Sequence, residues 1–291
     1  MTVEKPLKYL SLSGQNTSLV LELPAGEAPI WRYWGPKLRD ESPHGLRESR
    51  PLPSFMLDFD QPLTLAPTFG VGWFGQSVLL AHRQGQAFAQ AFTQCDVHWV
   101  VPGQSVRVVL TDPMVAIELT VHLSMDIQSD VLTMKSSLRN VGDTALDVQW
   151  LAAGTLLLPA QAQSVRSYAG QHNHEFLLQT DKLSRSIWRR ESRRGRTSHD
   201  CFPGAVVTTA GTTESSGLVY GAHLAWSGNH QQTIEWLHDA QYQWQLGEWL
   251  APGEGRLAAG ATLQTPEVVA SCSTQGLNGL AANFHAELRQ R

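Results

Sequence analysis

"VLTMKSSLRNVGDTALDVQWL", residues 131–151, alternates apolar and polar positions on both sides of a turn-forming tetrad. Leu132, Met134, Ser136 and Leu138 share one face of an extended segment, because successive side chains of a strand point to opposite sides. Asn140-Val141-Gly142-Asp143 supplies the turn chemistry, and Leu146, Val148 and Trp150 resume the alternation. The pattern predicts a β-hairpin with one wet and one buried face. Just before it, "AIELTVHLSMD" alternates in the same way. After it, "GLVYGAHLAWSGNH" and "TIEWLHDAQYQWQLG" supply further strands rich in β-branched and aromatic residues.

Read outward, short β-type runs broken by Gly, Pro, Asn and Asp extend from Ser18 to about Val269, with almost no helical periodicity. An all-β sandwich built as a meander of antiparallel strands follows. Residues 35–68 are dense in Pro and charge and read as long surface loops around short strands. The last segment differs. In "STQGLNGLAANFHAELRQR", Leu277, Leu280, Phe284 and Leu288 recur at spacings of three and four, one face of an amphipathic helix. The expected organisation is one β domain over 1–272 followed by a helix over 273–291.

The 291 residues suffice for a sizeable core without disulfides or metals. Charged residues make up only 16% and the net charge is −4, which excludes a global field built for nucleic acid. Ten Trp residues point to a sugar-stacking surface or to an aromatic-rich core, and core is the expected use for most. Cys95, Cys201 and Cys272 are odd in number and lack CxxC spacing, so neither a disulfide framework nor a structural zinc site is expected. "MTVEKPLKYLSLSG" has no secretory h-region, and no stretch approaches the ~20 apolar residues of a membrane span. A cytoplasmic, soluble chain is the expectation.

Four constellations invite chemistry. "RRESRRGRTSHD", residues 189–200, sets Arg189, Arg190, Arg193, Arg194 and Arg196 ahead of Ser198-His199-Asp200. Consecutive residues of an extended segment point to opposite faces, so the last three cannot converge as a hydrolase triad, and no GxSxG surrounds them. The arginines read as salt-bridging or subunit-contact surface rather than a phosphate patch. His172 and His174 in "QHNHEF" lie two apart, on the same side if extended, but a metal needs a third ligand, so a polar loop or ligand contact is preferred. Asp58 and Asp60 are too close for an inverting glycosidase pair and read as solvated acids. Trp34 in "WRYWG" and Trp73 in "GVGWFGQ" are candidate sugar-stacking plates, with core anchoring as the competing use.

Three blocks carry a resemblance: "SRRGRTSHDCFPG" at 192–204, "GLVYGAHLAWSGNHQ" at 217–231 and "TPEVVASCSTQGLNGLAANFHAELR" at 265–289. In this order, with "APGEGRLAAGATLQTPE" at 251–267, they resemble the N-terminal domain of glycoside hydrolase family 36 α-galactosidases. "YWGPKL" at 33–38 and "TFGVGWFGQ" at 68–76 match more loosely. The resemblance implies a β-supersandwich, the two-layer antiparallel architecture of galactose-mutarotase-like folds, agreeing with the strand pattern. It also implies a retaining α-galactosidase without metal or organic cofactor, whose two catalytic aspartates lie in a downstream (β/α)8 barrel. No "KWD" motif of that barrel occurs here, so the chain is expected to be non-catalytic alone and to serve oligomer assembly and active-site framing.

The family loop that reaches the galactose pocket matches "SYAGQHNHEF" at 167–176, where His172 and His174 replace the usual Trp and Arg. The implied contact residues are His172, Asn173 and His174, with Arg196, Ser198 and His199 from the second block. The implied partners are the barrel, further copies of the chain and α-galactosides, with no nucleic acid and no membrane. Two alternatives stand beside this reading. One is a free-standing carbohydrate-binding module; the other is a mutarotase-like enzyme, which requires two histidines and a glutamate converging in a sheet groove.

Overall fold

The computed structural model describes residues 9–39, 61–196, 200–237 and 240–291. Strands β1 (Tyr9–Ser13), β2 (Thr17–Glu22) and β3 (Ile30–Pro36) form a three-stranded antiparallel sheet. After β4 (Leu79–His82) comes the expected meander: β5 (Gln94–Val101), β6 (Ser105–Asp112), β7 (Ile117–Met125) and β8 (Val131–Asn140). Then follow β9 (Leu146–Leu158), the hairpin β10 (Ala162–Gln171) and β11 (His174–Lys182), β12 (Ile187–Ser192), β13 (Cys201–Thr209) and β14 (Val219–Leu224). Strands β15 (His230–Trp236), β16 (Tyr242–Glu248), β17 (Gly255–Leu257), β18 (Thr262–Gln264) and β19 (Val268–Ser273) precede helix α1 (Gly276–Gln290).

These strands make two layers. A ten-stranded sheet runs β11-β10-β13-β14-β19-β8-β7-β6-β5, with β18 beside β8. Opposite it, a six-stranded sheet runs β12-β15-β16-β9-β17, with β4 beside β9, and the separate three-stranded sheet packs against β7, β9 and β19. The apolar rows of both layers merge in one core that includes Leu119, Met134, Leu156, Trp244 and Tyr220. Each fully buried large side chain contributes about 1.5–3 kcal/mol relative to exposure. The two-layer antiparallel architecture with a C-terminal helix is the one expected from the sequence. No helix of the described residues is long and apolar enough to cross a membrane.

The opening stretch is not a hairpin. Leu132, Met134, Ser136 and Leu138 are buried, as are Leu146, Val148 and Trp150. Yet β8 pairs with β7, β18 and β19, whereas β9 pairs with β4, β16 and β17. Residues 141–145 carry the chain from one layer to the other, and β9 then packs face to face on β8. Ser136 Oγ donates to the Ala153 carbonyl at 3.3 Å across the sandwich. The corner is held by Asn140, whose Oδ1 accepts from Arg83 Nη2 at 2.7 Å and whose Nδ2 donates to the Thr144 carbonyl at 2.8 Å. Arg83 also donates to the Val115 and Ala116 carbonyls, so one cation ties the corner to the β6–β7 turn.

Two further expectations are corrected. Within 35–68, Leu63, Leu65 and Ala66 are core residues rather than loop surface, because Thr64 bridges to Ile30 at the end of β3. Asp58 and Asp60 lie outside the described residues. In α1, Leu280 is buried and Leu277 and Phe284 half-buried, but Leu288 is exposed, because in the last turn Gln290 and Arg291 face the protein, on Gln128 and Glu267. The helix is seated on β14 and β19: a Cβ on Gly221 would stand 2.8 Å from Leu280 Cδ2 and 3.1 Å from Phe284.

Candidate interface at the β10–β11 end of the large sheet

The segment 167–176 is a tight hairpin rather than a loop. Gln171 pairs with His174, leaving His172 and Asn173 as the two turn residues. Asn173 has φ 66°, a left-handed conformation that Asn tolerates better than most residues. Its N–H donates to Glu175 Oε1 at 3.0 Å. His172 therefore belongs to a turn and not to an extended run, so His172 and His174 do not form the same-side pair that their spacing allowed. Among the described residues no three or more His, Cys, Asp or Glu stand together as a metal site.

Beneath the tip the register shifts between Ala169 and Gln171, a bulge that places Phe176 at φ 54°. A left-handed bulky residue costs about 1–3 kcal/mol and persists only where its surroundings enforce it. Gly170 permits it, since a Cβ there would lie 1.9 Å from the His174 carbonyl oxygen. The Gly170 N–H also donates to the Asp200 carbonyl at 3.2 Å, which brings the hairpin tip beside the end of the arginine segment. Bulges re-aim side chains, and this one directs the Phe176 ring onto its neighbours.

An aromatic patch results. Phe176 is 56% exposed, Leu178 53% and Tyr168 38%. The Phe176 centroid lies 6.3 Å from Tyr168 and 5.9 Å from Phe202, at separations favoured by edge and tilted pairs. The row continues from Phe202 to His223 at 6.5 Å and from His223 to Phe284 of α1 at 5.5 Å. Burial holds His223 below the ordinary histidine pKa. The patch is missed by alternation and motif reading, because Tyr168, Phe176, Phe202 and His223 come from four strands. Their outward positions next to core rows were the one signal available.

Of the arginines in this segment, Arg190 links the two layers. Arg190 of β12 reaches across to β11, with Nη2 at 2.9 Å from both Gln179 Oε1 and Asp181 Oδ2. The Trp188 indole, donating to Asp181 at 2.9 Å, and then Arg190 hold the Asp181 carboxyl below its usual pKa. Arg189 and Arg193 both pair with Glu191, and Arg193 stacks 4.8 Å over Trp249. Arg194 binds Asp200 at 2.9 Å. Arg196 is exposed on the same loop, while Ser198 and His199 lie outside the described residues. Trp34 and Trp73 are not on this surface or any other: they are 3% and 7% exposed. Trp34 packs edge-on against Tyr220 at 5.1 Å, and Trp73 donates to the Gln76 carbonyl at 3.2 Å, so neither presents an open face to a sugar.

The profile of the glycosyl hydrolase family 36 N-terminal domain matches residues 27–258. The chain belongs to glycosyl hydrolase family 36. The α-galactosidase of Escherichia coli is 32% identical over 283 residues, covering 97% of this chain and 39% of that protein. Alpha-galactosidase 2 of Pediococcus pentosaceus is 30% identical over 179 residues, covering 60% of this chain and 24% of that protein. The fold is shared with the solved family 36 α-galactosidase AgaA of Geobacillus stearothermophilus. That match has a TM-score of 0.85 at 22% identity and covers 98% of this chain and 43% of that one. This family 36 chain thus spans less than half the length of these relatives.

Proposed function

We propose that this chain is the non-catalytic N-terminal β-supersandwich domain of a cytoplasmic, retaining α-galactosidase, whose hydrolysis of terminal α-galactosides is carried out by a separate (β/α)8 domain. In this reading the aromatic patch at the β10–β11 end meets that domain, in the same or a neighbouring subunit of a homo-oligomer. The turn His172-Asn173-His174, with Arg196, Ser198 and His199, then frames the mouth of the galactose pocket. No cofactor is invoked. The observation that carries the reading is the uncovered ring cluster of Tyr168, Phe176 and Phe202, enforced by a strained bulge, on a domain of this family. Exposed apolar clusters of this kind mark contact surfaces.

The binding-module alternative loses both of its stacking plates to the core. The mutarotase-like alternative needs a histidine pair, and in the large sheet Arg107 stands between His98 and His122. The test joins residues 1–291 to the remaining part of the E. coli α-galactosidase and assays p-nitrophenyl α-galactoside. Hydrolysis by the fusion and none by the chain alone is expected. A folded but inactive fusion, or turnover by the chain alone, overturns the reading.

A further inference from the structure

On the other side of α1, strands β6, β7 and β8 wall an outward groove of about 480 Å³, closed at one side by Gln264 and Glu267. The register sets His98 opposite Arg107, Arg107 opposite His122, and His122 opposite Lys135. Directly opposed residues share a face with Cβ atoms about 5 Å apart. Four nitrogen-bearing side chains therefore form one row across four strands. Hydroxyls flank that row: Ser105, Ser124 and Thr133 on one side, Thr120 and Ser137 on the other.

Arg107 and Lys135 stand on β6 and β8 with His122 between them, so this face carries two separated cations whose combined field attracts an anion. The protein does not provide one among the described residues: the carboxylate at the groove wall, Glu267, is engaged by Arg291 at 3.3 Å, and no carboxylate pairs with Arg107 or Lys135. Partial burial and then the flanking Arg107 and Lys135 push the His122 pKa down, as expected for a site of unbalanced positive potential.

We propose that this groove binds a phosphate monoester of a small polyol, that is, a sugar phosphate. The Arg107 fork and the Lys135 ammonium take the phosphoryl oxygens as charge-assisted hydrogen bonds. The hydroxyl rows, with Gln264, pair with the hydroxyls of the sugar ring. The volume lies within the range of small-ligand sites. A neutral sugar leaves the cations uncompensated. This site is independent of the domain assignment above, since it uses neither the aromatic patch nor a catalytic partner.

The test is calorimetric titration of the full 291-residue chain with galactose 1-phosphate, inorganic phosphate and galactose. Saturable binding of galactose 1-phosphate, weaker binding of phosphate and none of galactose are expected. Equal affinity for phosphate and galactose 1-phosphate overturns the sugar-phosphate assignment and leaves a site for free phosphate. Arg107→Ala/Lys135→Ala is expected to weaken binding about tenfold or more. Both residues sit on the outer face, and circular dichroism checks that the variant folds. Amide shifts of the unmutated chain provide a second readout, and changes confined to β6–β8 support the site. Absence of saturable binding by both anions, undiminished binding by the folded variant, or shifts centred elsewhere overturns it.

Discussion

On either side of α1 one continuous sheet carries opposite chemistry on its outer face. Near the hairpin end of β10, β11 and β13 the outward residues include Tyr168, Phe176, Leu178 and Phe202, with Arg166 and Thr180 further along the same face. Over the part of β6, β7 and β8 that walls the groove they are Arg107, His122, Lys135 and five hydroxyls, with Glu118 opposite Arg139 further along the same face. The inner rows of both halves are ordinary core, for example Val165 and Val207 in one and Val108 and Leu119 in the other. The core thus accounts for the inner rows and is indifferent to the outer ones. What differs between the halves therefore reports what touches each surface. An exposed aromatic cluster fits a protein partner, and an uncompensated cationic groove fits a small anion.

The contrast between the halves breaks most forcefully at Gly170. Gly170→Ala drives a Cβ into the His174 carbonyl, so the bulge and the aromatic patch should be lost together at a cost of about 3 kcal/mol. Urea denaturation reads this, and a variant as stable as the parent refutes the account of the bulge. Next, Tyr168→Ser/Phe176→Ser removes exposed rings and should leave the fold intact. It should weaken self-association by about tenfold, because two aromatic anchors no longer bury apolar area between copies of the chain. Sedimentation equilibrium at high concentration reads that change, and a strictly monomeric parent chain counts against the patch as a contact surface.

Smaller effects sharpen the cationic side. Without ligand, Arg107→Ala/Lys135→Ala should leave stability within about 0.5 kcal/mol of the parent, because these outer-face cations lose no carboxylate partner; a marked loss of thermal stability contradicts an uncompensated row. The smallest expected effect is on pH dependence. His122 faces Arg107 on β6 and Lys135 on β8, with Glu267 at the groove wall held by Arg291. Its folded pKa lies below the unfolded value, so the folded chain binds fewer protons there. Stability from this group is present above about pH 6.5 and is lost as pH falls through the folded value. His122→Gln should slightly flatten the dependence of the melting temperature on pH between about pH 8 and pH 5, and an unchanged slope rules out the effect.

Much of this could be read from the residues, for identifiable reasons. Alternation in Val131–Asn140 and Leu146–Leu158 told which side chains are buried, and each of the seven apolar-face positions named from it is. It could not tell that β8 and β9 lie in different layers. In a sandwich the inner rows of both sheets face one core, so a hairpin and a layer-crossing corner share one pattern. The deciding contacts, Arg83 with Asn140 and Thr144, join residues 57 and 61 apart in sequence. Likewise the local spelling of residues 189–200 excluded a triad. The use of Arg190 as a strap to Gln179 and Asp181 depended on which strand stands opposite. Trp34 and Trp73 were open to two readings, since a tryptophan beside glycines suits a core as well as a sugar.

By itself, then, the sequence determined the strand periodicity, the terminal helix and, through three ordered blocks, the family. These are properties of neighbours along the chain and of motifs that survive as strings. The tertiary structure alone decided the layer each strand joins, the aromatic patch and the cationic row. Each of these is assembled sideways across strands that are distant in sequence. Register, the quantity that aligns His98, Arg107, His122 and Lys135, is set by pairing between strands and leaves no mark within any one of them.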